Sequence, residues 1–323
     1  MSHNINGNKM FYYGQTPWHN LGVELKNPAT AKEAIEAADL DYKIELQPIF
    51  LRNNVEIQNA KASVRVDTNQ ALGIVTDRYK IVQNIEAFDF FDTVVGEKEA
   101  MYHTAGALGA GERIWVLAKL PKDIILTKED IVEKYLCLTN SHDGLSSLKL
   151  YFTPVRVVCQ NTLIASMKDS KDGISIRHMG DIKNKVEEAR RILGITIDYY
   201  KEFEQIAQQL VKRQMNVADT KKYYDNLLFQ GKEPDEISTN AVNKRNRLLS
   251  LFENGLGNKL PGIRHTAWAA LNSVTEYIDH DRNVKNLKED PTNKLRNIWF
   301  GSGAQLKQRA YDEILELCEI SKN

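Results

Sequence analysis

No apolar run approaches the roughly 20 residues needed to span a bilayer, and the opening MSHNINGNKM has neither the basic nor the apolar stretch of a secretory signal. A cytoplasmic protein with no membrane partner is expected. Cysteine is scarce: Cys137, Cys159 and Cys318 are odd in number and show no CxxC spacing, which argues against a disulfide framework. They read as reduced thiols serving as small apolar residues. An excess of charge of either sign is absent as well. Lys+Arg and Asp+Glu each total 43, so no global basic field advertises nucleic acid, and contact with a polyanion requires a local patch. None of the seven histidines (3, 19, 103, 142, 178, 265 and 280) pairs with another at i+3 or i+4, so spacing gives no metal site and names no cofactor. There is no internal repeat or low-complexity tract.

What is present is an ordinary globular composition, 42% hydrophobic and 27% charged over 323 residues, enough for a full core. The densest stretch runs from Tyr135 to Met167, YLCLTNSHDGLSSLKLYFTPVRVVCQNTLIASM. Leu148, Leu150 and Phe152 alternate with Lys149, Tyr151 and Thr153, the period of a half-buried strand. His142-Asp143-Gly144 supplies turn chemistry, with Gly144 free to take positive φ. Asn161 or Thr162 is expected to cap a short helix through Met167.

Elsewhere Thr30 and Glu33 form a capping-box signature opening a first helix. Strands are expected at Tyr42–Leu51, Ala62–Asp67, Leu72–Thr76, Met101–Ala105 and Glu112–Leu120, with a helix from Asn84 to about Val95. The Gly-rich link AGALGAG has neither phosphate-loop spacing nor a following helix, and reads as a hairpin connection. About seven strands precede residue 160 without regular βαβα alternation, which predicts an α+β fold with a largely antiparallel sheet and interspersed helices. From Asp181 the apolar period becomes helical, with one element reaching towards Met215 and spanning on the order of 50 Å, and with Gly194 as a possible kink site. Further helices are expected at 219–229, 241–253, 264–278 and 303–319. The expected division is an α+β sheet domain over 1–175 and a helical part over 176–323. Trp18 and Trp268 are expected to anchor their segments to the core, as is Trp299.

Three separated motifs occur in order: YGQTPWHNLG, TPVRVVCQNTL and WFGSGAQLKQRAYD. Together they resemble a family of phage- and plasmid-encoded proteins grouped as a domain of unknown function, and the resemblance covers nearly the whole chain. It implies a mobile-element context and no established activity.

Three chemistries follow from the residues. A thiolate at Cys159 with His142, His178 or His19 as base and Asn161 or Asp143 as orienter would make a nucleophile, although Cys159 at a strand end more simply packs in the core. In the corresponding enzyme reading, His142, Asp143, Arg156, Cys159, Gln160 and Asn161 line one pocket for a nucleotide or nucleic acid. Asp279-His280-Asp281 reads as the solvated end of a helix rather than a metal site. The leading expectation is binding of single-stranded nucleic acid, in an annealing or coating role and as a homo-oligomer. From 240 to 309 there are twelve Lys/Arg against six Asp/Glu, interleaved with Phe252, Trp268, Tyr277, Trp299 and Phe300. Cations neutralise phosphates while aromatic faces stack on unpaired bases. The residues expected to do so are Arg156, Arg177, Lys244, Arg245, Arg247, Arg264, Lys294, Arg296, Lys307 and Arg309. In strand-then-helix layout the chain is loosely similar to single-strand annealing recombinases, an analogy of architecture alone. A third expectation is an interaction protein that blocks a host defence or regulator.

Overall fold

A computed structural model describes residues 10–13, 22–27, 29–95, 101–158, 161–162, 174–176, 182–231, 233–284 and 293–321. In chain order the strands are β1 (Phe11–Tyr13), β2 (Val23–Leu25), β3 (Ile44–Phe50), β4 (Glu56–Arg65), β5 (Gln70–Thr76), β6 (Met101–Leu108), β7 (Arg113–Lys119), β8 (Ile124–Ile125), β9 (Ile131–Glu133), β10 (Tyr135–Ser141), β11 (Lys149–Phe152), β12 (Val155–Arg156), β13 (Asn161–Thr162) and β14 (Ile174–Ser175). The helices are α1 (Ala31–Ala37), α2 (Asn84–Val95), α3 (Ile182–Lys212), α4 (Val217–Phe229), α5 (Thr239–Asn254), α6 (Ala267–Glu276), α7 (Asn293–Trp299) and α8 (Ser302–Leu317). The fold is mixed α and β, with antiparallel sheets, interspersed helices and a helical C-terminal region.

The strands form three sheets rather than one. The main sheet has the order β14-β11-β10-β7-β6-β1-β2, a second has β13-β12-β9-β8, and a third has β3-β4-β5. Among the described strands only β1 and β2 pair in parallel. β10 lies between β7 and β11, with Leu138 opposite both Val116 and Leu150, and it is buried along its whole length. The Gly-rich link does close a hairpin between β6 and β7, with Gly109 and Gly111 at φ +63° and +108°. The capping box of α1 forms as its sequence demands: Glu33 N–H donates to Thr30 Oγ1 at 3.3 Å, and Thr30 N–H to Glu33 Oε2 at 2.9 Å.

One hydrophobic core runs through sheet and helices. α3 joins the two regions, packing against both α2 and α6. Its Tyr199 stacks on Phe152 of β11 at 4.2 Å, and its Phe203 meets Trp268 edge-on at 6.3 Å. The helix runs unbroken through Gly194. Trp268 and Trp299 are core residues, as expected.

One local expectation is corrected, at Asp279, which meets the chain at Thr162. Asn161–Thr162 is a strand paired with β12, and both the amide and the hydroxyl of Thr162 bond to the carboxylate of Asp279; the short helix expected from there through Met167 lies outside the described residues. Asp279 is not at a solvated helix end. α6 passes into a π-helical turn, Tyr277–Asp281, whose wider winding shifts the side-chain phase, and Asp279 is fully buried. Also, α7 was not anticipated. Trp18, His19, Cys159, Gln160, Arg177, His178 and 163–167 lie outside the described residues.

Candidate nucleic-acid interface

Two buried clamps tie the sheet region to the helices. In the first, Arg156 of β12 forms a bidentate pair with Asp130, Nε to Oδ1 at 2.7 Å and Nη2 to Oδ2 at 2.6 Å, both side chains being 0% exposed. Its remaining N–H groups reach Asn258 Oδ1 at 3.1 Å, the Gly257 carbonyl at 2.9 Å and the Leu256 carbonyl at 3.4 Å. All five donors of the guanidinium are therefore in use. Trp268 Nε1–H adds a bond to Asp130 Oδ2 at 3.1 Å. Asn258 Nδ2 holds the carbonyls of Leu251 and Ala269, so the 255–262 loop is fixed from within.

The second clamp joins two of the three sequence motifs. Lys307 of α8 donates to the carbonyl of Thr162 at 2.8 Å and to its hydroxyl at 2.6 Å, and lies 2.5 Å from Asp279. Lys307 and Asp279 are 1% and 0% exposed. Charges this deep persist only when paired and hydrogen-bonded, as these are.

The polar turn after β10 is a separate structure. Asn84 Nδ2 donates to the Leu40 carbonyl at 3.0 Å, which leaves its Oδ1 to accept from His142 Nε2 at 2.8 Å. The imidazole is buried, its Nδ1 has no partner, and burial pushes its pKa down to about 4, with Asp143 opposing weakly. His142 is thus a neutral core histidine. Asp143 bonds the hydroxyl of Ser141 and the Leu145 amide. A Cβ on Gly73 would lie 2.6 Å from Asp143 Cα, so β5 crosses the turn at a distance that glycine alone permits.

The polar set expected to share a pocket is divided between these structures. Arg156 pairs with Val132, and His142 follows ten residues beyond Val132 along β9 and β10. Extended chain of that length spans on the order of 30 Å. The side chain of Asn161, like Cys159 and Gln160, is outside the described residues.

A different set of groups comes together where α7 crosses the main sheet. Along β7, Ile114, Val116 and Ala118 face one side while Arg113, Trp115 and Leu117 face the other. On that second side Trp115 meets Trp299 of α7 edge-on at 4.8 Å. The next residue, Phe300, is half-buried, 5.7 Å edge-on from Tyr151 of β11, with the Arg113 guanidinium 5.1 Å over its ring. Lys149 shares the face of Tyr151, two residues away on β11. Arg296 of α7 points to the β6–β7 turn, with Nη2 3.1 Å from Glu112 Oε1, while Glu112 Oε2 accepts the Ala110 amide at 2.7 Å. Nε of Arg296 is buried without a partner. The result is a half-exposed aromatic ring with the Arg113 guanidinium over it, Tyr151 at its edge, and Lys149 and Arg296 on the adjoining strand and helix.

The other expected basic residues are dispersed. Arg245 pairs with Asp225 at 3.2 Å and lies 5.6 Å over Phe229; Arg247 pairs with Asp281 at 2.5 Å. Arg264, 63% exposed, lies 3.9 Å from Glu253. Lys244 is half-buried on α5 and Arg309 is exposed on α8. Arg113, Lys149 and Tyr151 carried no basic-run signal, because they lie in strands whose alternation said only that one face is polar. Among the described residues, no group of three or more His, Cys, Asp or Glu could hold a metal ion, and no helix is long and apolar enough to cross a membrane.

The family model described as a domain of unknown function, DUF932, matches residues 71–299. The match begins in β5 and ends with the last residue of α7, taking in Asp130, Arg156, Asp279, Arg113 and Arg296. No curated protein and no solved structure matches the chain. With more than two thirds of its length matched, from the small sheet to the helix that crosses the large one, this chain belongs to the DUF932 family, whose domain is found in phage- and plasmid-associated proteins.

Proposed function

We propose that the protein binds single-stranded nucleic acid across the face where α7 lies on the main sheet, in an annealing or coating role without bond-making chemistry. The observation that supports this reading is the half-exposed Arg113–Phe300 pair, with Lys149 and Arg296 on the adjoining strand and helix. An aromatic ring with a guanidinium beside it gives an unpaired base a stacking surface, worth roughly 1–3 kcal/mol per base, and the surrounding cations neutralise phosphates. A duplex keeps its base faces stacked internally and gains only the charge term, so the single strand is preferred. Self-association belongs to the same reading. The small sheet leaves Ile74 72% exposed, and its β3–β4 end exposes Phe50, Leu51 and Val55, an apolar surface suited to a second copy.

Fluorescence anisotropy of labelled single-stranded and double-stranded oligonucleotides at two salt concentrations tests the proposal. Salt-sensitive binding with preference for the single strand is expected. No binding at low salt overturns it.

A further inference from the structure

We infer that Arg296 is a phosphate subsite whose anion is supplied, in the unbound protein, by the carboxylate of Glu112. The inference rests on the nucleic-acid reading and adds to it a specific phosphate contact and an internal competitor. Glu112 sits in the β6–β7 turn in a conformation maintained by its neighbours. One oxygen accepts the Ala110 amide at 2.7 Å, and the other receives Arg296 Nη2 at 3.1 Å. Gly109, at φ +63°, makes room for it: a Cβ there would lie 2.0 Å from Glu112 Oε1. The carboxylate thus spans a turn amide and a guanidinium, the same two donor types that hold a phosphate oxygen.

The guanidinium is only partly satisfied. Arg296 makes one bond through Nη2, its Nε is buried with no partner, and its side chain is 39% exposed while that of Glu112 is 21% exposed. Arg156 shows what a completed guanidinium looks like in this fold, with both carboxylate oxygens of Asp130 engaged. At Arg296 a two-oxygen acceptor arriving from solvent gains bonds that Glu112 does not make. A phosphodiester reaching the Arg113–Phe300 surface carries such an acceptor. Glu112 therefore holds Arg296 in place before binding and lowers affinity by competing for it.

The test is a salt titration of single-strand binding to the full chain, wild type against Glu112→Gln, Arg296→Gln and the double variant. Glutamine keeps an oxygen for the Ala110 amide and removes the competing charge. E112Q is expected to bind about two- to five-fold more tightly, the range of a partly exposed ion pair. R296Q is expected to bind more weakly, with a log–log salt slope shallower by about 0.7, one phosphate contact on a single strand. E112Q should give no gain in the R296Q background. An unchanged slope in R296Q, or an equal gain from E112Q with and without Arg296, overturns the inference. If E112Q loosens the turn, seen as a lowered unfolding midpoint, the slope of R296Q decides alone. Wild-type protein that binds no oligonucleotide removes the functional reading itself, whereas wild-type binding with an unaltered R296Q slope removes only the subsite.

Discussion

The two clamps and the α7 surface use the same side chains to opposite ends. Arg156 and Arg296 each face a carboxylate. Arg156 is wholly enclosed and has all five donors bonded, whereas Arg296 is partly exposed with a buried Nε left over. Lys307 lies inside beside Asp279, while Lys149 stays half-exposed on the face of the sheet that carries Tyr151. A closed network holds two regions of chain together, and a charge in it has nothing left to offer a ligand. An open one has unfilled capacity. Sorting basic residues by what remains unsatisfied therefore separates structure from recognition better than counting them.

Four perturbations break or sharpen this contrast. The largest effect is expected from Asp130→Ala, which strands Arg156 in the interior and should cost about 3–5 kcal/mol, read from the denaturant midpoint. A cost below about 1 kcal/mol would mean that Arg156 finds water, and the distinction between closed and open networks would fail.

Acid should act next, on the buried turn after β10. His142 is neutral in the fold, its pKa pushed down to about 4 by burial, against about 6.5 in the unfolded chain. As pH falls below 6.5 the unfolded chain takes up the proton first. The stability held above pH 6.5 then declines until about pH 4 and levels off below it, by on the order of 3 kcal/mol. His103, also pushed down to about 4 by burial, acts in the same window. Chemical denaturation at a series of pH values should show a flatter slope for His142→Gln than for wild type; identical slopes would show that the ring protonates without leaving the core.

On the open side, Phe300→Ala should weaken single-strand binding by about 1–3 kcal/mol with duplex binding little changed, both measured by anisotropy. Equal losses for the two would replace stacking with charge as the cause. Smallest is Arg264→Ala: an exposed pair with Glu253 at 3.9 Å should move the unfolding midpoint by no more than about 0.5 kcal/mol.

Much of the fold was legible along the chain because its signals are local. The Thr30–Glu33 box, the helix from Asn84, the β6–β7 hairpin and the long helix after Asp181 depend on residues within one turn or one strand of each other. The site was far less legible. Arg113 and Phe300 are 187 residues apart in the chain (300 minus 113) and meet only because α7 lies on β7. The basic run over 240–309 contained Arg296, but it also contained Lys307, whose charge the fold turns inward. Nothing in a run of lysines and arginines records which of them will find a buried acid. Thr162 makes the same point: both of its donors go to Asp279, 117 positions away in the chain.

The sequence by itself determined that this chain is strand-rich with interspersed helices and then turns helical, and its three motifs placed it among phage- and plasmid-associated proteins. Only tertiary structure decided which charges are closed and which are open. Periodicity and capping act between neighbours in the chain. The state of an arginine depends instead on how many of its donors meet an acceptor and how much water remains beside it, and both are set by strands and helices brought together from far along the sequence.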